Sequence, residues 1–160
     1  MIKKELPQQV QKVQQILTNA GLTTQVIEFD ESTRTAADAA RAIGCEVAHI
    51  AKSLLFVAQS TKKPVLVIAS GVNRVNEATL AQIIGEKIIK ADAEYARAAT
   101  GYAIGGIPPF GHVTKIDTFI DEDLFKYPQI WAAAGTPHTV FKLDSDKLIE
   151  FTGGRVISIK

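Results

Sequence analysis

The sequence IAKSLLFVAQSTKKPVLVIAS, residues 50–70, contains two apolar segments joined by a polar turn. The segments cover residues 50–58 and 65–70, and the turn between them carries Lys62, Lys63 and Pro64. Each segment has the length and apolar content of a buried strand. Since the polar connection is too short for a helical crossover, the pattern predicts a buried antiparallel β-hairpin.

Helical and strand patterns are interspersed on both sides of this hairpin. Apolar residues at helical spacing predict a helix near the N-terminus, through Ile2, Leu6, Val10, Val13, Leu17 and Ala20. Further helices are predicted at 35–43, 77–84, 92–99 and 145–151, and their candidate capping residues are Thr35 with Asp38, Asn76, Asp92, and Asp144 or Ser145. Further strands are predicted at 24–29, 87–90, 112–116, 130–134, 139–143 and 156–159. Because many spacers between strands are short, we expect an α+β fold with a mixed, largely antiparallel sheet.

The composition limits the class of protein. The chain has 160 residues, 46% of them hydrophobic, with 18 Lys plus Arg against 17 Asp plus Glu. This size and balance predict a single folded domain over residues 1–160 and exclude a disordered chain. The net charge of +1 excludes a polybasic footprint, although a local patch can still hold a phosphate.

The single cysteine and the N-terminal sequence indicate the compartment. Cys45 has no partner for an internal disulfide, which fits a reducing environment. The N-terminal residues have no signal-peptide pattern, and the apolar runs are far shorter than the ~20 residues that span a bilayer. We therefore expect a cytoplasmic protein that does not engage a membrane.

Two features within these elements could carry chemistry. The first is Lys52, which lies inside an apolar strand. A lysine at such a position is more often simply exposed to solvent. The alternative is a partly desolvated ammonium that binds a phosphate, a carboxylate or a carbonyl oxygen. The stretch GYAIGGIPPFGH, residues 101–112, combines four glycines with two adjacent prolines. Such a segment forms a shaped loop, because glycines allow close approach to the main chain and prolines stiffen its path.

Histidines and the cysteine provide weaker signals. His138 lies in a second loop with Gly135, and a lone histidine in a turn is more often a surface residue than a functional one. Cys45 and His49 form a CxxxH pair, but no second His/Cys pair completes a zinc site. The phosphate-binding loop, dinucleotide, HExxH and GxSxG motifs are absent from the sequence.

These segments resemble the YbaK/EbsC family of aminoacyl-tRNA deacylases, which are related to the editing domain inserted in bacterial prolyl-tRNA synthetases. The matching pieces are TRTAADAARAIGCEVAHIAKSLLF (33–56), GYAIGGIPPFGH (101–112) and AAAGTPHTVFKL (132–143), in the family's order along nearly the whole chain. The resemblance implies a barrel-like mixed sheet with flanking helices. It also implies an enzyme that hydrolyses the ester of a mischarged tRNA, such as tRNA-Pro carrying a small wrong amino acid.

The resemblance further implies which residues form the site. Lys52 would contact the terminal adenosine phosphate or the aminoacyl group, and the main chain from Gly105 to Pro109 would hold the ester and position the attacking water. The implied catalytic residues are Lys52, Gly105 and Gly106, and the implied substrate-binding residues are Gly101, Ile107, Pro108, Pro109, Gly135 and His138. Neither a metal nor a cofactor is implied, because an activated ester can be hydrolysed by positioning and oxyanion stabilisation. The implied partners are the acceptor end of an aminoacyl-tRNA and an aminoacyl-tRNA synthetase.

Two alternatives remain open from the sequence. A protein with this fold could be a non-catalytic module that binds tRNA, a nucleotide or another small ligand in the same cleft. Zinc-dependent hydrolysis through Cys45 and His49 is the third hypothesis, and it requires bound zinc. The oligomeric state and the identity of the edited amino acid do not follow from the sequence.

Overall fold

The computed structural model describes residues 5–160 and contains five α-helices, two short 3-10 helices and eight strands within that range. The helices are α1 (Gln8–Asn19), α2 (Ala36–Ile43), α3 (Glu77–Ile84), α4 (Ala93–Thr100) and α5 (Lys147–Thr152), with 3-10 turns at Val47–His49 and Glu122–Lys126. The strands are β1 (Ile27–Glu28), β2 (Ile50–Ala58), β3 (Pro64–Ser70), β4 (Ile88–Lys90), β5 (Asp117–Asp121), β6 (Gln129–Ala133), β7 (Thr139–Asp144) and β8 (Arg155–Ile157).

All eight strands belong to one mixed sheet. Its order is β1-β7-β6-β2-β3-β5-β8, with β4 paired to β2 outside that path. Four of the seven pairings among the described residues are antiparallel, and the parallel ones join β2 to β6, β3 to β5 and β5 to β8. The predicted mixed α+β class is therefore confirmed. The sheet is open and does not close into a barrel, because its outer strands, β1 and β8, are not paired with each other in the described part of the chain.

Strand β2 has one continuous edge and one interrupted edge. Along the continuous edge it pairs with β3 from Ala51 to Val57, which confirms the predicted hairpin. On the other edge, β6 pairs with residues 50–51 and β4 pairs with residues 56–58. Beyond these pairs, the carbonyl of Leu55 accepts from the amide of Ala91 (3.1 Å), and residues 52–54 have no register partner on that edge, so the sheet has an opening at its centre. Lys52 lies at this opening.

The two faces of β2 pack against different helices. Ala51 and Leu55 point into the main core, where they join buried side chains of α1, α4 and α5. On the other face, Ile50 packs with the small residues of α2, and Phe56 packs with Leu80 of α3. Since side chains alternate along a strand, Lys52 shares this second face and projects between α2 and α3.

Local sequence signals account for the helix boundaries. The predicted caps form: Thr35 accepts from the amide of Asp38 (3.0 Å), Asn76 from Thr79 (3.2 Å) and Asp92 from Tyr95 (2.8 Å). Glycines with positive φ end α2, α3 and α4. At α5 the prediction is wrong, because Asp146 occupies the N-cap position and no side chain caps this helix.

Several boundaries differ from the prediction because tertiary contacts override the local pattern. The strand expected at 112–116 lies instead at Asp117–Asp121, since His112 and Thr114 are bonded to carbonyls of neighbouring loop and helix residues. The strand expected at 24–29 shortens to Ile27–Glu28, because Gln14 of α1 binds the main chain of residues 24 and 26. The last strand covers Arg155–Ile157 rather than 156–159, and α1 begins only after Pro7. Ile2 of the predicted first helix lies outside the described residues.

Candidate functional site

The side chain of Lys52 is half-buried at the opening of the sheet. Its ammonium donates a weak hydrogen bond to the carbonyl of Gly71, at 3.5 Å. Burial lowers the pKa of Lys52 below its usual value, and the positive charge of Arg74 lowers this pKa further. The negative charge of Asp121 acts in the opposite direction. Lys52 is thus the partly desolvated lysine that the sequence allowed as an alternative.

The glycine-proline loop lies across the opening and packs against two other segments. Gly105 has φ +90° and sits beneath the side chain of Arg34. A β-carbon at Gly106 would lie 2.7 Å from main-chain atoms of Thr136, so the loop also touches the segment that contains Gly135. These contacts explain both glycines: the first needs a left-handed backbone, and the second needs space.

The remainder of the loop is anchored in the core. Pro108 and Pro109 are buried, and Phe110 packs on Phe141 and Phe151 with ring centroids 5.5 and 5.2 Å apart. His112 is bonded to the carbonyl of Pro108 through Nε2, at 2.7 Å. The second half of the loop is therefore fixed in the core, whereas Gly105 lines the cavity that contains Lys52.

Several main-chain donors of this loop are unpaired within residues 5–160, among them the two that flank Gly106. Within residues 5–160, the amides of Gly105 and Ile107 have no hydrogen-bond acceptor. Ile107 is only 3% exposed, and both residues line the same cavity as Lys52. Unpaired amides that share a cavity with a cation are suited to a carbonyl oxygen that becomes negatively charged during a reaction.

Two cavities, each of about 460 Å³, meet at Lys52. The first, cavity A, lies between the start of α2, Gly105 and Trp131, and small side chains form much of its wall: Ala36, Ala37, Ala39, Ala132 and Ala133. The second, cavity B, is lined by Arg74, Glu77 and Lys90. Five residues line both cavities: Lys52, Ser53, Leu54, Ile104 and Ile107.

Both cavities carry an excess of positive charge. Lys52 and Arg34 are the charged residues that line cavity A, and cavity B has Lys52, Arg74 and Lys90 against Glu77. Arg34 and Arg74 form no ion pair with any residue in the described range. Cations without protein partners at the mouth of a cavity favour an anionic ligand such as a phosphate.

The structure brings some of the predicted site residues together and separates others. Lys52, Gly105 and Ile107 share cavity A, and Gly106, Pro108 and Pro109 support the same loop from behind. The remaining three predicted site residues line neither cavity A nor cavity B. Gly101 ends α4, Gly135 packs on Gln9 and Tyr102, and exposed His138 is bonded through Nδ1 to the carbonyl of Glu31 at 3.0 Å.

The site also contains residues that sequence reasoning did not select. Arg34, Gly71 and Trp131 line cavity A, and Thr33, 5% exposed, has a hydroxyl without a partner among the described residues. The start of α2 was recognisable only as a helix cap. Nothing in the local sequence indicated that this cap faces Lys52.

The described part of the chain has neither a cluster of metal ligands nor a helix that could span a membrane. Within residues 5–160, no three His, Cys, Asp or Glu side chains are grouped so that they could hold a metal ion. None of the helices in that range has the length and apolar character needed to cross a bilayer.

Comparisons with known proteins relate this chain to aminoacyl-tRNA editing domains. A profile of the family described as the aminoacyl-tRNA editing domain matches residues 30–151. The crystal structure of a candidate trans-editing enzyme for prolyl tRNA synthetase has a TM-score of 0.89 and 39% identity, over 98% of this chain and 99% of that one. YwhH, an uncharacterized protein of Bacillus subtilis, is 29% identical over 131 residues, which are 82% of this chain and 83% of that protein. A proline–tRNA ligase of Limosilactobacillus fermentum is 30% identical over 113 residues, 64% of this chain and 20% of the ligase.

Proposed function

The chain belongs to the aminoacyl-tRNA editing domain family, and from that membership we propose that it hydrolyses the ester bond of a mischarged aminoacyl-tRNA without forming part of a synthetase. The observation that carries this proposal is the position of Lys52. Lys52 lines both cavities, and Gly105 and Ile107, whose amides are unpaired within residues 5–160, line the first of them with it.

The two cavities suit the two parts of such a substrate. The 3′-terminal nucleotides carry phosphates, which fit the cations Arg74 and Lys90 of cavity B. The aminoacyl group would then enter cavity A, where the alanine side chains leave space for a small residue. The ester that joins the two parts would lie next to Lys52, which lines both cavities.

Hydrolysis at this position requires no side-chain nucleophile. A water oxygen attacks the ester carbonyl carbon, and the amides of Gly105 and Ile107 stabilise the oxyanion that forms. The bond to the ribose oxygen then breaks, the proton from water passes to that oxygen, and the products are free amino acid and tRNA. Lys52 holds the adjacent phosphate or ester oxygen in place, so that positioning supplies much of the rate.

The substrate that we propose is tRNA-Pro carrying a small wrong amino acid. Similarity to a proline–tRNA ligase and to a candidate trans-editing enzyme for prolyl tRNA synthetase supports this choice. The aminoacylation site of a synthetase discriminates poorly against smaller amino acids, because one methylene group changes the binding free energy by only about 1–3 kcal/mol. A second site must therefore remove the wrong amino acid from the tRNA. A prolyl-tRNA synthetase would thus supply the substrate and is the partner that we propose.

A panel of mischarged tRNAs tests the proposal. The wild-type protein should release the amino acid from at least one of them, with an unchanged rate in the presence of a chelator. Lys52→Ala should lower the rate at least about 100-fold, because a desolvated cation at the reacting centre is lost. Lys63→Ala, a matched change at an exposed lysine of the same hairpin, should keep the wild-type rate.

The alternative functions predict other results. Binding of tRNA with no release of amino acid from any member of the panel would identify a non-catalytic module. Loss of activity with the chelator, together with stoichiometric zinc in the purified protein, would instead support the metal-dependent hypothesis.

A further inference from the structure

Asp121 is a buried carboxylate that the proposed hydrolysis does not use. It ends β5 and is only 1% exposed. Its Oδ2 atom accepts hydrogen bonds from the amide of Ser70 (3.0 Å) and from the side-chain amide of Asn73 (2.8 Å). Its Oδ1 atom accepts from the amide of Asp123 (2.9 Å). All three donors are neutral, so the negative charge of Asp121 is held in the interior without an ion-pair partner among residues 5–160.

The neighbouring carboxylate of Asp123 has a different environment. It accepts from the same Asn73 side chain at 2.8 Å, but it also forms ion pairs with Lys126 and Lys160, both at 3.0 Å. The hydrogen bond from Asn73, followed by those from Lys160 and Lys126, holds the pKa of Asp123 far below its usual value. Asp123 is therefore neutralised locally, whereas Asp121 is not.

Two of the three donors to Asp121, Ser70 and Asn73, belong to the turn that carries the hydrogen-bond acceptor of Lys52. The Ser70 hydroxyl donates to the carbonyl of Ala48 (2.8 Å), and the amide of Gly71 donates to the carbonyl of Ile50 (2.8 Å). The amide of Asn73 then closes the turn on the carbonyl of Ser70 (2.9 Å). Asp121 thus fixes the point at which β3 leaves the sheet, and the Gly71 carbonyl is held where Lys52 reaches it.

The charge of Asp121 also opposes that of the cations around Lys52. The charged residues that line the two cavities with Lys52 are Arg34 before α2, Arg74 after β3, Glu77 at the start of α3 and Lys90 on β4. Among them Glu77 is the single anion. Asp121 is the group whose charge raises the pKa of Lys52, against burial and Arg74.

We propose that Asp121 is a positioning residue for Lys52: through Ser70 and Asn73 it fixes the turn whose Gly71 carbonyl the ammonium contacts, and it is the buried negative charge that opposes the cations around that ammonium. The proposal rests on the proposed function only in that Lys52 is taken to serve catalysis. The placement and charge of Lys52 can be measured without any substrate.

NMR titration of protein labelled with ¹³C at the lysine ε-carbon provides that measurement, with the Lys52 signal assigned from Lys52→Arg. We expect Asp121→Asn to lower the pKa of Lys52 by about half a unit or more, because a nearby opposite charge is removed. Asp123→Asn removes a carboxylate from the same turn and should leave the pKa of Lys52 within about 0.2 units, since Asp123 is already neutralised. An unchanged Lys52 pKa in folded Asp121→Asn overturns the proposal, whether or not the protein deacylates tRNA.

A second variant keeps the proposal testable if Asp121→Asn does not fold. Asn73→Ala leaves the carboxylate in place and removes a donor that ties the turn to it. For a protein that deacylates tRNA, we expect kcat to fall at least about fivefold while KM stays within about twofold, because a displaced Gly71 carbonyl affects the reacting centre more than tRNA capture. A wild-type kcat in folded Asn73→Ala contradicts the positioning role, and failure of the wild type to deacylate refutes the proposed function alone.

Discussion

The side chain of Arg34 covers Gly105 so closely that a β-carbon on Gly105 would overlap the Arg34 Cγ atom. This contact joins the segment before α2 to the loop that faces Lys52. Since Arg34 also lines cavity A, the arginine both covers the loop and borders the space for a substrate.

Gly105→Ala should reduce activity more than it reduces stability. The left-handed backbone at φ +90° costs about 1–3 kcal/mol when a side chain is present, and the overlap with Arg34 adds a displacement of the loop. We expect kcat to fall at least about tenfold, as oxyanion donors move out of place. Deacylation rates and urea unfolding measure the two effects.

Gly85→Ala is the matched control for this change. Gly85 has φ +92°, but no atom lies within 4 Å of its β-carbon position, and it ends α3 outside both cavities. It should show a similar loss of stability with a wild-type kcat. Equal losses of activity in the two variants would mean that Gly105 acts through folding alone.

Arg74→Ala should weaken capture of tRNA and change its dependence on salt. Arg74 is exposed, unpaired within residues 5–160 and lines cavity B. Loss of one phosphate contact should raise KM several-fold and reduce the slope of log KM against log salt by about 0.7, the value for a single strand. Arg155→Ala, at an exposed arginine of β8 that lines neither cavity, should leave the slope as it is.

His112 should make the folded protein sensitive to mild acid. Burial lowers the pKa of His112 below its usual value of 6.5, with a smaller contribution from Lys12, while the bond to Pro108 opposes this shift. The unfolded chain therefore binds a proton more readily, and stability should fall as pH decreases below about 6.5. Urea unfolding at pH 7.0 and pH 5.5 measures the loss.

A comparison of His112→Gln with His138→Gln isolates this contribution. The first variant should lose less stability between the two pH values than the wild type, because its loop has no histidine to protonate. The second, at an exposed histidine, should resemble the wild type. An identical pH dependence in His112→Gln and the wild type would rule out His112 as the cause.

Local signals in the sequence predicted the elements that hold the site. The boundaries of β2 and α3 agree with the prediction because the apolar run at 50–58 and the cap at Asn76 act over a few residues. Lys52 and the loop at 101–112 were predicted to be functional largely through the family resemblance. Their convergence on one cavity depends on contacts between segments far apart in sequence.

Other features depend on registers that no local pattern encodes. The opening beside Lys52 exists because β6 pairs with the start of β2 and β4 with its end. Asp121 accepts one of its two main-chain bonds from Ser70, 51 positions earlier, and the sequence DTFID gives no indication of this partner. The prediction of a strand at 112–116 was wrong for a related reason: Thr114 is bonded to the carbonyl of Ala99, and the strand begins only at Asp117.

The interrupted edge of β2 also fixes the length of the opening and therefore the size of a ligand that can enter it. Ala51 is the last residue paired with β6 and Phe56 is the first paired with β4; at about 3.3 Å per residue, these positions are roughly 16 Å apart. Strand pairing fixes this span, and the turn at residues 59–63 lies outside it. Lengthening that turn should therefore leave the aperture unchanged, whereas one residue inserted between Ala51 and Phe56 should form a bulge against the continuously paired β3 and move the side chains that follow to the opposite face.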